Sequence, residues 1–136
     1  MTAQEFVDRA MSMPGLPWVK WGSEWTGADC YGILVLWFRE VRGIDLGAVP
    51  QTDIASGFAA ARGWAPCDPE PGATAWMAFS GPQPMHCGLL LDAEHVLHSQ
   101  GSEDAGGSVR VTRLSALRRM FSDIRFYRFT GAKACS

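Results

Sequence analysis

A cysteine followed well downstream by two histidines is the set of residues in this chain that could do covalent chemistry: Cys30, His86 and His98, in that order. A thiolate attacks an acyl carbon, an imidazole about 3 Å away moves the proton, and a third group fixes the tautomer of that ring. Cys30 falls where a helix should begin. Asp29 is a good N-cap residue, and Ile33, Leu34, Trp37 and Val41 recur at helical spacing before Gly43. A free thiol titrates near pH ~8.5, and the unpaired N–H groups at a helix start favour its thiolate. The N–H of Cys30 would also be free to donate to a developing oxyanion. Asp29 opposes the thiolate electrostatically, so a cationic partner must offset it. The ordinary alternative for Cys30 is a small buried hydrophobe.

His86 opens one expected strand and His98 lies on its hairpin partner. A three-residue turn at Asp92–Glu94 pairs Leu91 with His95 and Gly88 with His98. His86 and His98 then share one sheet face at a diagonal, where long side chains still meet. Gly88 leaves room for a ring, whereas a one-residue slip would send the two histidines to opposite faces. The same register turns His95 to the other face, as a hairpin surface residue. Two half-exposed strand histidines without a task are the ordinary alternative.

The elements that must position these residues read as helices first and strands afterwards. Thr2 and Glu5 form a capping box for a helix over Ala3–Ser12, which stops near Met13-Pro14-Gly15. An irregular Gly- and Trp-rich stretch leads to the Cys30 helix, and a third helix is expected over Asp53–Arg62. Strands follow at Ala75–Ser80, Cys87–Leu91, Val96–Gln100, Ser108–Val111 and Ile124–Phe129. Gly101–Gly107 reads as a flexible loop and Leu114–Phe121 as a short helix. This order predicts a single α+β domain over residues 1–136, with N-terminal helices packed on a C-terminal antiparallel β-sheet.

Bulk properties narrow the function classes. A formal net charge of −2 offers no reason to expect a nucleic acid partner. Arg110, Arg113, Arg118, Arg119, Arg125 and Arg128 make the last third locally basic, which reads as a solvated face. No segment approaches the ~20 apolar residues of a membrane-crossing helix, so no membrane insertion is expected. Met1–Ala10 lacks a basic-then-apolar leader pattern, so the expectation is synthesis in the cytoplasm without a classical export signal. Cys30, Cys67, Cys87 and Cys135 are too few and scattered for a disulfide scaffold, and with the three histidines they match no common zinc spacing. Free thiols, no metal and no cofactor are expected.

Two segments carry a family resemblance. GLPWVKWGSEWTGADCYGILVLWFREVRGIDL resembles the nucleophile region of the NlpC-type cell-wall peptidases, papain-like bacterial hydrolases whose pattern is Pro-aromatic, Trp-Gly, then Asp-Cys-Ser-Gly opening a helix. PGATAWMAFSGPQPMHCGLLLDAEHVLHSQ resembles their second half, with His-x-Gly and then a strand ending in His. The resemblance implies a papain-like fold, Cys30 as nucleophile, His86 as general base and acid, and His98 as the orienting third residue. It also implies a peptidoglycan substrate, commonly cut between D-γ-glutamate and a diamino acid. A short stand-alone version resembles those carried by phage tails or gene transfer agents, with tail-tip or hub proteins as partners and the cell wall or periplasm as the place of action. Asp29, Trp18 and Tyr31 would border the substrate. Tyr31 stands where the family usually has Ser, Trp18 where a Tyr lends its hydroxyl, and Ala73 where Asp usually follows Pro-Gly. Two rival readings stay open: a tail-tip or assembly protein of this fold without turnover, and a Cys–His amidase or acyltransferase.

Overall fold

The computed structural model describes residues 1–47, 49 and 63–131. The helix expected over Asp53–Arg62 and the thiol of Cys135 lie outside them.

Helix α1 (Ala3–Met11) starts with the capping box foreseen from its sequence. Thr2 Oγ1 accepts from Glu5 N–H at 3.1 Å, and Glu5 Oε1 accepts from Thr2 N–H at 2.9 Å. Its buried residues are Phe6 and Ala10, four apart on one face. The Gly- and Trp-rich stretch is less irregular than its composition suggests: β1 (Ser23–Glu24) and β2 (Gly27–Ala28) form a small antiparallel ribbon. The chain then turns at Cys30–Tyr31 into α2 (Gly32–Trp37), which widens into a π-helical turn over Phe38–Arg42. Gly43 ends it at φ 66, a left-handed conformation that costs glycine nothing. All six residues of α2 are buried, so it is a core helix rather than an amphipathic one.

The second half supplies β3 (Trp64–Pro66), β4 (Thr74–Ser80), β5 (Gln83–Leu90), β6 (His95–Ser102), β7 (Gly106–Arg113), α3 (Leu114–Met120) and β8 (Asp123–Phe129). The strands form one antiparallel sheet in the order β3-β8-β4-β5-β6-β7. Alternation along each strand sorts side chains to two faces. Ala75, Met77, Cys87, Leu89, Leu97 and Val109 face α1 and α2, in one cluster with Phe6, Ile33, Leu34 and Trp37. Trp76, Ala78, Leu90 and Val96 face the other way, under Leu117 of α3. A fully buried aliphatic side chain contributes about 1.5–3 kcal/mol, so the larger cluster dominates stability.

One expectation is corrected. Gly101–Gly107 is not a flexible loop: β6 and β7 extend as a ladder through Gly101↔Gly107 and Ser102↔Gly106, and the chain reverses at Glu103–Ala105. Glycine is needed there because a Cβ on Gly101 would press into the carbonyl oxygen of Gly106. The six arginines of the last third are all exposed. Arg125 pairs with Asp123 at 2.8 Å and lies over Phe79, while Arg118 lies over Phe126.

Candidate active site

The turn carrying Cys30 is braced by side chains bonded to its main chain. Asp29 is fully buried; its Oδ2 accepts from Trp21 N–H at 2.6 Å and its Oδ1 from Gly32 N–H at 2.7 Å. Its carbonyl accepts from Ile33 N–H, so Asp29 performs the capping role although the regular helix begins three residues later. Burial raises the Asp29 carboxyl above its ordinary value, opposed by the N–H bonds from Gly32, Trp21 and Tyr31. Gly32 touches the carbonyl of Gly22 so closely that no Cβ fits between them. Ser99 Oγ of β6 donates to Ala28 O at 2.6 Å and ties the same turn to the sheet.

Cys30 itself is 7% exposed. Its carbonyl accepts a hydrogen bond from the Cys87 thiol at 3.3 Å, which seats the turn against β5 one residue from His86. Cys87 is sealed in the core, and burial pushes its thiol well above the ordinary range, with Cys30 and Asp29 nearby adding to the shift. Among the described residues, no hydrogen bond joins the Cys30 thiol to His86, and the Cys30 N–H donates to no group.

The histidines meet as the hairpin register requires. Leu89 pairs with Leu97 and Leu90 with Val96, which sets Gly88 across from His98. Leu91 N–H donates to His95 O across the turn, where Asp92 Oδ1 accepts from the N–H groups of Glu94 and His95. His86 Nε2 and His98 Nδ1 are 2.8 Å apart. A Cβ on Gly88 would lie 2.7 Å from Trp76 Cζ2 and 2.9 Å from His98 Cβ, so the bare backbone there lets the rings approach. Trp76 packs edge-on against both imidazoles, with ring centres 5.4 and 5.8 Å away, and Phe121 flanks His86 at 6.4 Å. His95 points to the other face, with Nδ1 3.0 Å from Asp92.

Burial holds both rings neutral. His86 is lowered to about 3, first by burial and then by the neighbouring His98; His98 is lowered to about 4, by burial and then by Arg110. A neutral imidazole that donates from Nε2 keeps a bare lone pair on Nδ1, which is what a general base requires.

A residue absent from the sequence reading completes this group. Thr112 Oγ1 of β7 lies 2.8 Å from His98 Nε2. His86, His98 and Thr112 thus step diagonally across three neighbouring strands on one face. A lone threonine in a strand gives no signal in sequence; only the β6–β7 register, with Val96↔Thr112 and His98↔Arg110, could have pointed to it.

Tyr31 is 2% exposed, with its hydroxyl 3.3 Å from Trp64 Nε1. Trp18 is half-buried, its N–H donates to Gly107 O, and its Cβ packs over Gly101. Trp25, in the Trp-rich stretch, packs on Phe6 and donates from its indole N–H to Glu40. No group of three or more possible metal ligands occurs among the described residues. Among them, no helix is long and apolar enough to cross a membrane.

A core helix seated on an antiparallel sheet, with a cysteine at the helix start and a histidine pair on adjacent strands, defines a papain-like α+β architecture of the NlpC/p60 kind. The crystal structure of the NlpC/p60 domain of the peptidoglycan hydrolase SagA superposes with a TM-score of 0.58. The two are 20% identical in sequence, over 94% of this chain and 98% of that one. No protein-family model and no curated protein matches the sequence.

Proposed function

We propose that this chain is a cysteine peptidase that hydrolyses peptide bonds in the stem peptides of peptidoglycan. Cys30 is the nucleophile, His86 the general base and acid, and His98 the orienting residue. The observation that carries the reading is the 2.8 Å bond between His86 Nε2 and His98 Nδ1, within a fold shared with a peptidoglycan hydrolase domain. That bond occupies one ring nitrogen and reserves Nδ1 for the thiol.

In the working state the Cys30 thiol faces His86, while the Cys30 carbonyl keeps its bond from the Cys87 thiol. Nδ1 takes the thiol proton and sulfur attacks the amide carbon, with the Cys30 N–H facing the oxyanion. His86 returns the proton to the leaving amine, leaving a thioester on Cys30. Water, deprotonated by His86, then releases the acid and restores the thiol. The bond between D-γ-glutamate and the diamino acid is the proposed target, with delivery to the wall on a phage-like particle as part of the same proposal.

Purified peptidoglycan digested by the wild-type chain should release stem-peptide fragments identifiable by mass spectrometry. Cys30→Ala and His86→Ala should each lower the rate by at least about 100-fold while leaving the fold intact. Equal digestion by Cys30→Ala and wild type would end the proposal.

One observation favours a second reading, a particle component of this fold without turnover. Cys30 is buried, and among the described residues no hydrogen bond joins its thiol to His86. Alkylation separates the two. A working nucleophile reacts with iodoacetamide at Cys30 in the native chain and loses activity in step, whereas a purely structural thiol reacts only on unfolding.

A further inference from the structure

Resting on the catalytic reading above, we propose that Thr112 is a positioning residue. Its hydroxyl accepts from His98 Nε2–H and so fixes the proton order that leaves His86 Nδ1 bare for the Cys30 thiol.

The three groups are linked end to end, His86 Nε2 to His98 Nδ1 at 2.8 Å and His98 Nε2 to Thr112 Oγ1 at 2.8 Å. A chain of two neutral imidazoles and a hydroxyl holds its protons in one of two orders. In the first, Thr112 accepts from His98 Nε2–H, His98 Nδ1 accepts from His86 Nε2–H, and His86 Nδ1 carries a lone pair. In the second, Thr112 donates to His98 Nε2, His98 Nδ1–H donates to His86 Nε2, and His86 Nδ1 is blocked by its own proton. Only the first order can take a proton from a thiol. It also needs no rearrangement afterwards, because the imidazolium so formed still donates from Nε2 to His98.

The surroundings leave the accepting role to Thr112. His98 is 1% exposed, so bulk water is a poor substitute partner. Arg110 stands directly opposite His98 in the β6–β7 ladder and disfavours a second proton on it, while His86 is the titratable group bonded to it from β5. The nearby Trp76 Nε1 is fully buried and has no hydrogen-bond partner among the described residues. As an indole N–H it can only donate, so it cannot accept from His98 in place of Thr112.

The test uses the full chain with Thr112→Val, which keeps the shape and removes the hydroxyl, and Thr112→Ser, which keeps the hydroxyl. Nitrogen-15 imidazole spectra should show wild-type His86 and His98 both protonated at Nε2. Thr112→Val should mix the tautomers of His98. On peptidoglycan peptides its kcat should fall about 10-fold with KM changed less than about 2-fold, and Thr112→Ser should restore kcat to within about 3-fold. A Thr112→Val chain with wild-type tautomers and kcat overturns the inference, as does Thr112→Ser failing as badly as Thr112→Val. Should Thr112→Val not fold, wild-type spectra with the proton on His98 Nδ1 overturn it alone. Loss of the catalytic reading shows differently: Cys30→Ala then matches wild type in digestion, while the tautomer spectra still decide the proton order.

Discussion

The two faces of the central sheet have divided the chemistry between them. The face toward α2 carries the sulfur atoms: Cys87 is sealed in the larger core cluster and bonded to the Cys30 carbonyl. The face toward α3 carries the nitrogen atoms: His86 and His98, boxed by Trp76 and Phe121. One is a packed apolar layer that holds a helix in place; the other is a small polar chain set into an aromatic wall. Bulk packing and the polar imidazole chain therefore lie on opposite sides of β5, and the Cys30 turn meets the packed side at Cys87, where helix and sheet form a seam.

The contrast can be broken most severely from the α2 face. Leu34 is fully buried there, and Leu34→Ala should destabilise the chain by about 2–5 kcal/mol through lost burial and a residual cavity. A lowered urea midpoint with an unchanged slope would register this. Gly88→Ala should cost less, about 1–3 kcal/mol, because its new methyl group presses on Trp76 and His98. Its sharper signature is loss of the His86–His98 bond, visible in the imidazole spectra even where the fold survives.

A smaller effect comes from pH. Both histidines are lowered in the folded chain, to about 3 and about 4, against about 6.5 when unfolded. Between those limits the unfolded chain binds more protons, so stability falls as the solution is acidified. The contribution is complete above the unfolded value, declines as pH drops through about 6.5, and levels off once the folded rings titrate. Urea midpoints between pH 7 and pH 5, above the main carboxylate range, should drop for wild type and drop less for His98→Asn. Equal slopes would mean that His98 is not held neutral by the fold.

Much of the α3 face was legible in the sequence because sheet geometry is periodic. The Asp92–Glu94 turn fixed the β5–β6 register, and an offset of two residues then placed His86 and His98 side by side. The α1 cap was equally readable from Thr2 and Glu5. Two-residue strands such as β1 and β2 carry no period, so that ribbon could not be foreseen. Gly101–Gly107 imitates a loop in composition, while its glycines serve close packing of two strands. The seam itself has no period at all. Which atom of the Cys30 turn meets which residue of β5 depends on how a buried helix settles on a sheet, and neither the Cys87 contact nor the role of Thr112 can be read from spacing.

The close approach of Gly32 to the carbonyl of Gly22 has a practical consequence for anyone reshaping this molecule. Two stretches of main chain are keyed together there without a side chain between them, so the loop presenting residue 30 behaves as a fixed mount. Tyr31 beside it is itself a core residue held by Trp64, so a swap there would disturb the packing behind the mount. Adding even a methyl group at position 32 would unseat the mount itself.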